Sequence, residues 1–525
     1  MSQQLYKKVG IASVIMMGSV FLSRLMGLPR DGAIAYIGGA SGEVDAYQLA
    51  FLIPEILNHI LASGFLSVTF IPIFSAYLAQ NREDEGWRVF SIILTCFGSL
   101  MLLFIAICFV FTPEIVDIVT SGRSDSGDRT AIVKMTRIIM PAQFFFFCGG
   151  LFMAVQFAKE KFVIPALAPL LYNLGIISGG LVLGPKIGME GFSWGVLIGA
   201  FFGNFAVQFW GAKKAGMTFK PVFDFHHPDL KKYVLLTLPL MLGLTMMFSM
   251  EFFMRFFGAF LPPGGIAGLL YSKTILFVLV GLFGQAVGVA AFPYMSRLMA
   301  EDKIEEMNRL LNRTLRYLAL AIPFSVLLMV LRYEVVLVIL RRGKFDAGAT
   351  ELTAQILIFL LVGAFALSAY TVVVRGYYAM QNTLFPAIFG TLAVLLSLPL
   401  YWYGMKMMGA GGIALAVSLS SIFQVVLLYT LWNRRTYNTE SGNVYRFYGG
   451  IILFSGLIGL FLTYFKATVL AGIDSETIWG SLCICLITGG LFMVILLAAG
   501  YVFKIREISE LGANFIRKIK EYFGY

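Results

Sequence analysis

Charge is scarce in this sequence. Only 13% of its 525 residues are Asp, Glu, Lys or Arg, where soluble domains carry about 25%. A water-soluble globule of this length is thereby excluded. Histidine is scarcer still: His59, His226 and His227 are not arranged as a zinc site. The five cysteines (Cys96, Cys108, Cys148, Cys483, Cys485) all sit in apolar segments without metal-ligand neighbours, and are expected as small core hydrophobes. Substantial loops are missing as well. The longest lie around 212–230 and 114–130, too short to form a separate domain. An enzyme such as a glycan polymerase or acyltransferase, which needs a base or nucleophile held in a large outer loop, is therefore not expected. No small-residue cleavage pattern follows Lys7 and Lys8, so the first apolar stretch reads as a retained span.

Apolar residues fill the space that charge leaves. They make up 59% of the chain, and mean hydropathy is +0.83. Apolar runs of about twenty residues recur along the whole length, which defines an all-α polytopic membrane protein. About fourteen transmembrane helices are expected, from 9–37 and 45–80 through 384–406 and 411–433 to 447–466 and 477–503. An even count puts both termini on one side. The loops on that side hold most of the Lys and Arg, which makes it the cytoplasmic side. The loop with Arg341, Arg342 and Lys344 runs against this bias. The net charge of +11 is thus a topological signal, and nucleic acid is not an expected partner.

An internal repeat sets the architecture. "IPIFSAYLAQNREDEGWRVF" at 71–90 aligns with "FPYMSRLMAEDKIEEMNRLL" at 292–311. At a constant offset, Pro72 matches Pro293, Ser75 matches Ser296, Ala79 matches Ala300, Glu85 matches Glu306 and Arg88 matches Arg309. Span 2 thereby pairs with span 8, and both copies run the same way. The expectation is two parallel-repeat six-helix lobes plus a C-terminal helix pair: an N-lobe over 1–220, a C-lobe over 221–438, and 439–525 as the added pair and tail. Parallel halves are a transporter architecture, with the site expected between them near the midplane.

The first span carries a costly feature, "FLSRLMGLPRDGAIA" at 21–35. Arg24, Arg30 and Asp31 each cost roughly 2.5–3.5 kcal/mol at bilayer depth on insertion scales. At about 100° per residue, Gly27 lies about 40° from Ser23, Asp31 about 80°, Arg24 about 100° and Arg30 about 340°, all within an arc of roughly 120°. That face must meet protein or water. Two arginines against one aspartate leave a surplus cation, which a purely structural lock between helices would not need.

Other polar groups join it. Asp45, Asn58, His59 and Ser63 belong to span 2, Glu251 and Arg255 to span 7, and Lys273 to span 8. Each has a plainer reading. Asp45 can equally cap a helix, Glu251 and Arg255 can satisfy one another at i,i+4, and Lys273 can snorkel. Taken together they describe a cationic cavity with a few carboxylates, suited to a phosphate or pyrophosphate that the arginine fork can clasp. In "PALAPLLYN", Pro165, Pro169 and Asn173 follow at four-residue spacing; the prolines permit bending, and Asn173 can satisfy a freed carbonyl.

Ser23-Arg24-x-x-Gly27-x-x-Arg30-Asp31, then Asp45-Ala46-Tyr47 and Phe51-x-x-Pro54, resembles the start of the bacterial MurJ (MviN) family, lipid II flippases of the MOP exporter superfamily. "FIPIFSAY" at 70–77, "IPALAPLLYN" at 164–173, "RRGKFD" at 341–346 and "GYYAMQNTLFP" at 376–386 also look like family segments, in family order. The resemblance implies a groove for a polyprenyl tail in spans 13 and 14, and a central cavity where Arg24, Arg30, Asp31 and Asp45 handle the pyrophosphate. It has gaps. Family members usually carry an arginine where this chain has Asn58, an acidic residue near Ser63, and an Asp-Arg pair where Lys273-Thr274 stands. Lys273 offers the charge in a shifted place, and His59 a partial substitute.

The function these features imply is flipping of a lipid-linked peptidoglycan precursor from the inner to the outer leaflet of the cytoplasmic membrane by alternating access. The alternative is export of another polyprenyl-pyrophosphate-linked glycan by a related transporter. No cofactor, metal or catalytic residue is expected; membrane potential, protons or sodium could each drive the cycle. The expected partners are the lipid-linked substrate, membrane lipids and the cell-wall synthesis machinery, with the protein itself a monomer.

Overall fold

The computed structural model describes residues 3–59, 65–120, 126–241 and 246–502; Ser63 and the tail 503–525 lie outside them. Among the described residues every regular element is helical. Nine helices among the described residues are long and apolar enough to cross a membrane, or ten if the bent pair Ala347–Leu361 and Ala364–Ala379 counts as one span. Fourteen is not the number that length and apolarity return. The spans expected over 384–406 and 411–433 are two helices within Leu384–Thr436, separated at Gly409, whose φ of 57° and ψ of −130° are not helical.

The span expected over 45–80 is divided as well. Helix Gly42–Ala50 stops, Leu52–Leu57 follows, and Phe65–Ala79 comes after. Pro54 explains the first break. It has no N–H to donate to the Ala50 carbonyl, and that carbonyl accepts instead from Thr136 Oγ1 at 3.3 Å. A side chain from another helix thus satisfies a backbone group that water cannot reach.

The chain divides into two compact units. The first comprises Met1–Ala267 together with Arg342–Phe345. In it, helix Gln3–Gly38 lies against Val163–Ile187, which in turn packs on Glu190–Gly199. Glycines govern that last contact. A Cβ added at Gly175 would fall 2.4 Å from Gly199 Cα, and one at Gly179 the same distance from Gly195 Cα. Small residues four apart on both helices let the backbones touch, which is how helices associate in a solvent that gives no hydrophobic drive. Gly179→Leu is expected to destabilise the protein by at least ~1–3 kcal/mol, seen as loss of monodisperse material on size exclusion. An unchanged melting temperature would rule this contact out as a determinant of the unit.

The segment Arg342–Phe345, whose charges run against the topological bias, belongs to this first unit. Lys344 N–H donates to the Tyr36 carbonyl at 3.0 Å, just before the end of the first helix. Gly39 and Gly343 make the crossing possible, each at positive φ (66° and 61°). A Cβ on Gly39 would meet the Lys344 carbonyl at 2.6 Å.

The second unit comprises Gly268–Arg341 and Asp346–Tyr525. In helix Ile304–Leu318, Met307, Leu311, Leu315 and Leu318 form a buried stripe at helical spacing. They pack with Tyr377, Leu428 and Trp432. Trp432 Nε1 donates to Asn308 Oδ1 at 2.8 Å, and Asn312 pairs with Asn438 and Tyr429. The last two helices, Ser441–Val469 and Ile478–Val502, lie on Ala321–Val330 and Arg332–Leu340. Phe324, Leu462 and Phe492 meet there.

Candidate functional site

In the first helix, burial follows the arc expected from its sequence. Gly27 and Asp31 are buried, Ser23, Arg24 and Arg30 half-buried, while Phe21 and Leu22 on the other side are 58% and 50% exposed. The charged face meets helix Val163–Ile187. Arg30 Nε donates to Asp31 Oδ1 at 2.9 Å, and its Nη1 to Asn173 Oδ1 at 3.3 Å. Asn173 Nδ2 bridges back to Ser23 Oγ at 3.4 Å and also reaches the Pro169 carbonyl at 2.9 Å. The carbonyl that Pro169 frees is that of Pro165, four residues earlier, so Asn173 is not its substitute donor. It serves as the clamp that holds Ser23 and Arg30.

Arg24 stands apart from this arrangement. Its Nη1 is buried without a hydrogen-bond partner, and among the described residues no carboxylate pairs with it. The cation surplus anticipated for this face is located in that side chain.

A second cluster lies in the same unit. Arg255 is 5% exposed, and its guanidinium Nη1 is clasped by Glu55. Glu251, its expected i,i+4 partner, has its nearest carboxylate oxygen 3.9 Å away. The close ion pair is therefore not intrahelical: helical spacing permits the contact, but Glu55, from a helix 200 residues earlier, approaches more closely. Arg255 also lies over the Phe51 ring, 5.8 Å from its centroid, and its Nε is buried without a partner. The buried Tyr47 ring meets Phe51 edge-on with 5.1 Å between centroids, and half-buried Tyr172 directly precedes Asn173. The apolar unit thus holds two charged clusters, with Arg24, Arg30 and Arg255 set against Asp31, Glu55 and Glu251.

Asp45 resolves differently. Its carboxylate accepts the N–H groups of Gly264 and Ala267, both at 2.7 Å, and so caps the helix that starts at Gly265. Two backbone donors in a positive helix terminus hold the charge, which is an N-cap supplied from a distant segment. Asp45→Ala is expected to cost about 0.5–2 kcal/mol of stability, with Asp45→Asn costing less because one oxygen still accepts. Equal melting temperatures for wild type and Asp45→Ala would refute the capping role.

The remaining expected residues are placed as follows. His59 stacks on Phe248 with ring centroids 3.9 Å apart, and half-buried Asn58 stands one turn after Glu55. Lys273 is half-buried and belongs to the second unit. Among the described residues no group of His, Cys, Asp and Glu could hold a metal ion. Sequence reasoning passed over Glu55, Tyr47 and Tyr172 as site members, and took Asn173 only as a backbone device. Glu55 had a signal, since a carboxylate directly after Pro54 inside an apolar run is costly unless it has a partner.

A polytopic helical chain with a charged core in an apolar unit has the build of a transporter, and comparison with solved structures agrees on the fold. A structure described as lipid II flippase MurJ in an inward closed conformation superposes with a TM-score of 0.73 at 24% identity, covering 92% of this chain and all of that one. An inward-facing multidrug resistance MATE family transporter of the MOP superfamily gives 0.61 at 13% identity, over 79% of this chain and 98% of that one. The model of the family described as lipid II flippase MurJ matches residues 34–482, and the chain belongs to that family. The probable lipid II flippase MurJ of Buchnera aphidicola subsp. Baizongia pistaciae is 28% identical over 491 residues, 91% of this chain and 95% of that protein. The lipid II flippase MurJ of Burkholderia cenocepacia is 24% identical over 453 residues, 84% and 88% of the two chains. The family match begins at Ile34, so Arg24, Arg30 and Asp31 precede the matched segment.

Proposed function

We propose that this chain flips lipid II from the inner to the outer leaflet of the cytoplasmic membrane by alternating access, with no covalent step. The observation that carries the proposal is Arg24, an intramembrane cation without a carboxylate partner among the described residues. A guanidinium clasps adjacent phosphate oxygens in a bidentate fork, and a pyrophosphate brings the counter-charge that the protein withholds. The descriptions of the matched family and of the relatives name lipid II. An exporter of cationic drugs would need carboxylate where this chain holds a free guanidinium.

In this proposal Arg24 binds the pyrophosphate, Arg30 adds charge beside it, and Ser23, Asp31 and Asn173 hold Arg30. Glu55, Glu251 and Arg255 supply a second charged group that substrate can exchange with, while Asn58, His59 and Lys273 contact the cargo. The lobes run over 1–220 and 221–438, with a lipid-tail groove in 439–525 and both termini cytoplasmic. The protein works as a monomer beside the cell-wall synthesis machinery and needs no cofactor.

The test is growth rescue in cells depleted of their own lipid II flippase. The wild-type chain should restore growth and outer-leaflet lipid II. Failure despite correct insertion would sink the lipid II assignment. It would favour export of another polyprenyl-pyrophosphate-linked glycan, a reading to which the uncharged Asn58 lends support.

A further inference from the structure

The second unit holds a cavity of about 310 Å³ near the hairpin that joins the last two helices, with Arg332, Glu334, Thr463, Lys466 and Ser475 set into a largely apolar lining. Glu334 dominates it. The residue is 1% exposed; one carboxylate oxygen receives Lys466 Nζ at 2.6 Å, and Oε2 is buried without a hydrogen-bond partner. A buried carboxylate oxygen left unsatisfied is costly in a native fold, and it calls for a donor from outside the protein. Lys466 also donates to the Val330 carbonyl at 3.2 Å, and Arg332 gives an N–H to the Met329 carbonyl at 2.9 Å. With two cations against one carboxylate the lining has an excess positive charge, so it also calls for an anion.

A ligand that meets both demands carries a hydrogen-donating ammonium and a phosphate on one small frame. Its source follows from depth. Tyr464 and Trp479 on the same hairpin are 70% and 80% exposed, and exposed aromatics of this kind mark the membrane–water interface. Val330, Leu470 and Ile484 line the rest of the cavity and suit a glycerol backbone with its first acyl carbons. We propose that this cavity binds the phosphoethanolamine headgroup of a membrane phospholipid, its ammonium on Glu334 Oε2 and its phosphate on Arg332 and Lys466. The site is separate from the charged core of the first unit and does not depend on what that core carries.

The test uses the purified full-length chain in detergent, titrated with dihexanoyl phosphatidylethanolamine, phosphatidylcholine or phosphatidylglycerol, and with water-soluble glycerophosphoethanolamine. Bound lipid is read by native mass spectrometry. Phosphatidylethanolamine should bind about tenfold or more tightly than phosphatidylcholine, whose quaternary ammonium has no N–H to give a carboxylate. Glu334→Gln should erase that preference while phosphatidylglycerol binding persists through Arg332 and Lys466. Arg332→Gln should weaken both lipids together. Equal binding of phosphatidylethanolamine and phosphatidylcholine to wild type would overturn the proposal, whether or not Glu334→Gln folds. Equal binding of the soluble glycerophosphoethanolamine would overturn the assignment to a membrane lipid.

Discussion

Replacing Arg24 with alanine is expected to abolish growth rescue while leaving melting temperature unchanged or raised. The two halves of this outcome have one cause. A half-buried cation with no partner carries a desolvation penalty and gains nothing in return within the described residues. Removing it relieves the apo protein. With the substrate bound, the same guanidinium would make charge-assisted hydrogen bonds of about 1.5–3 kcal/mol each. Losing a bidentate pair would then weaken substrate handling by about a hundredfold or more. Arg30 provides the contrast. It holds Asp31 and Asn173, so Arg30→Ala removes a charge partner from a buried carboxylate and should lower the melting temperature as well as activity. The check is rescue and thermal melting of both variants side by side. Rescue by Arg24→Ala, or a clear fall in its melting temperature, would remove this side chain from the substrate site and make it a structural cation.

The second large effect is expected at Glu55. Arg255 is nearly fully buried and takes its close contact from Glu55, with Glu251 farther away. Glu55→Ala leaves that cation under-compensated, and breaking a buried pair from one side costs about 3–5 kcal/mol. Against a total stability of about 5–15 kcal/mol, such a loss is a large fraction and should lower both the melting temperature and the yield of folded protein. Glu55→Gln keeps an acceptor and should fall between. The double replacement Glu55→Leu with Arg255→Leu should recover most of the stability of Glu55→Ala, because the uncompensated charge disappears with its partner. A double-mutant cycle on detergent-solubilised protein measures the coupling. Were Glu55→Ala as stable as the double variant, the pair would be only a neighbourly contact.

These two residues also mark the division between what local pattern reveals and what it hides. The amino-acid sequence alone determined the membrane class, the helical fold and the charged arc of the first helix. Hydropathy and the helical period are properties of one segment, and lipid enforces them on every segment alike. Tertiary structure alone decided the partners. Helical spacing offered Glu251 to Arg255, yet Glu55 approaches closer because two distant helices meet there. Asp45 looked like a cavity carboxylate or a local cap, and it caps a helix that begins 220 residues downstream. Asn173 looked like a remedy for a proline, and it clamps Arg30. In each case a buried charge must find its counterpart, and which counterpart lies within reach depends on packing between segments that no periodicity connects.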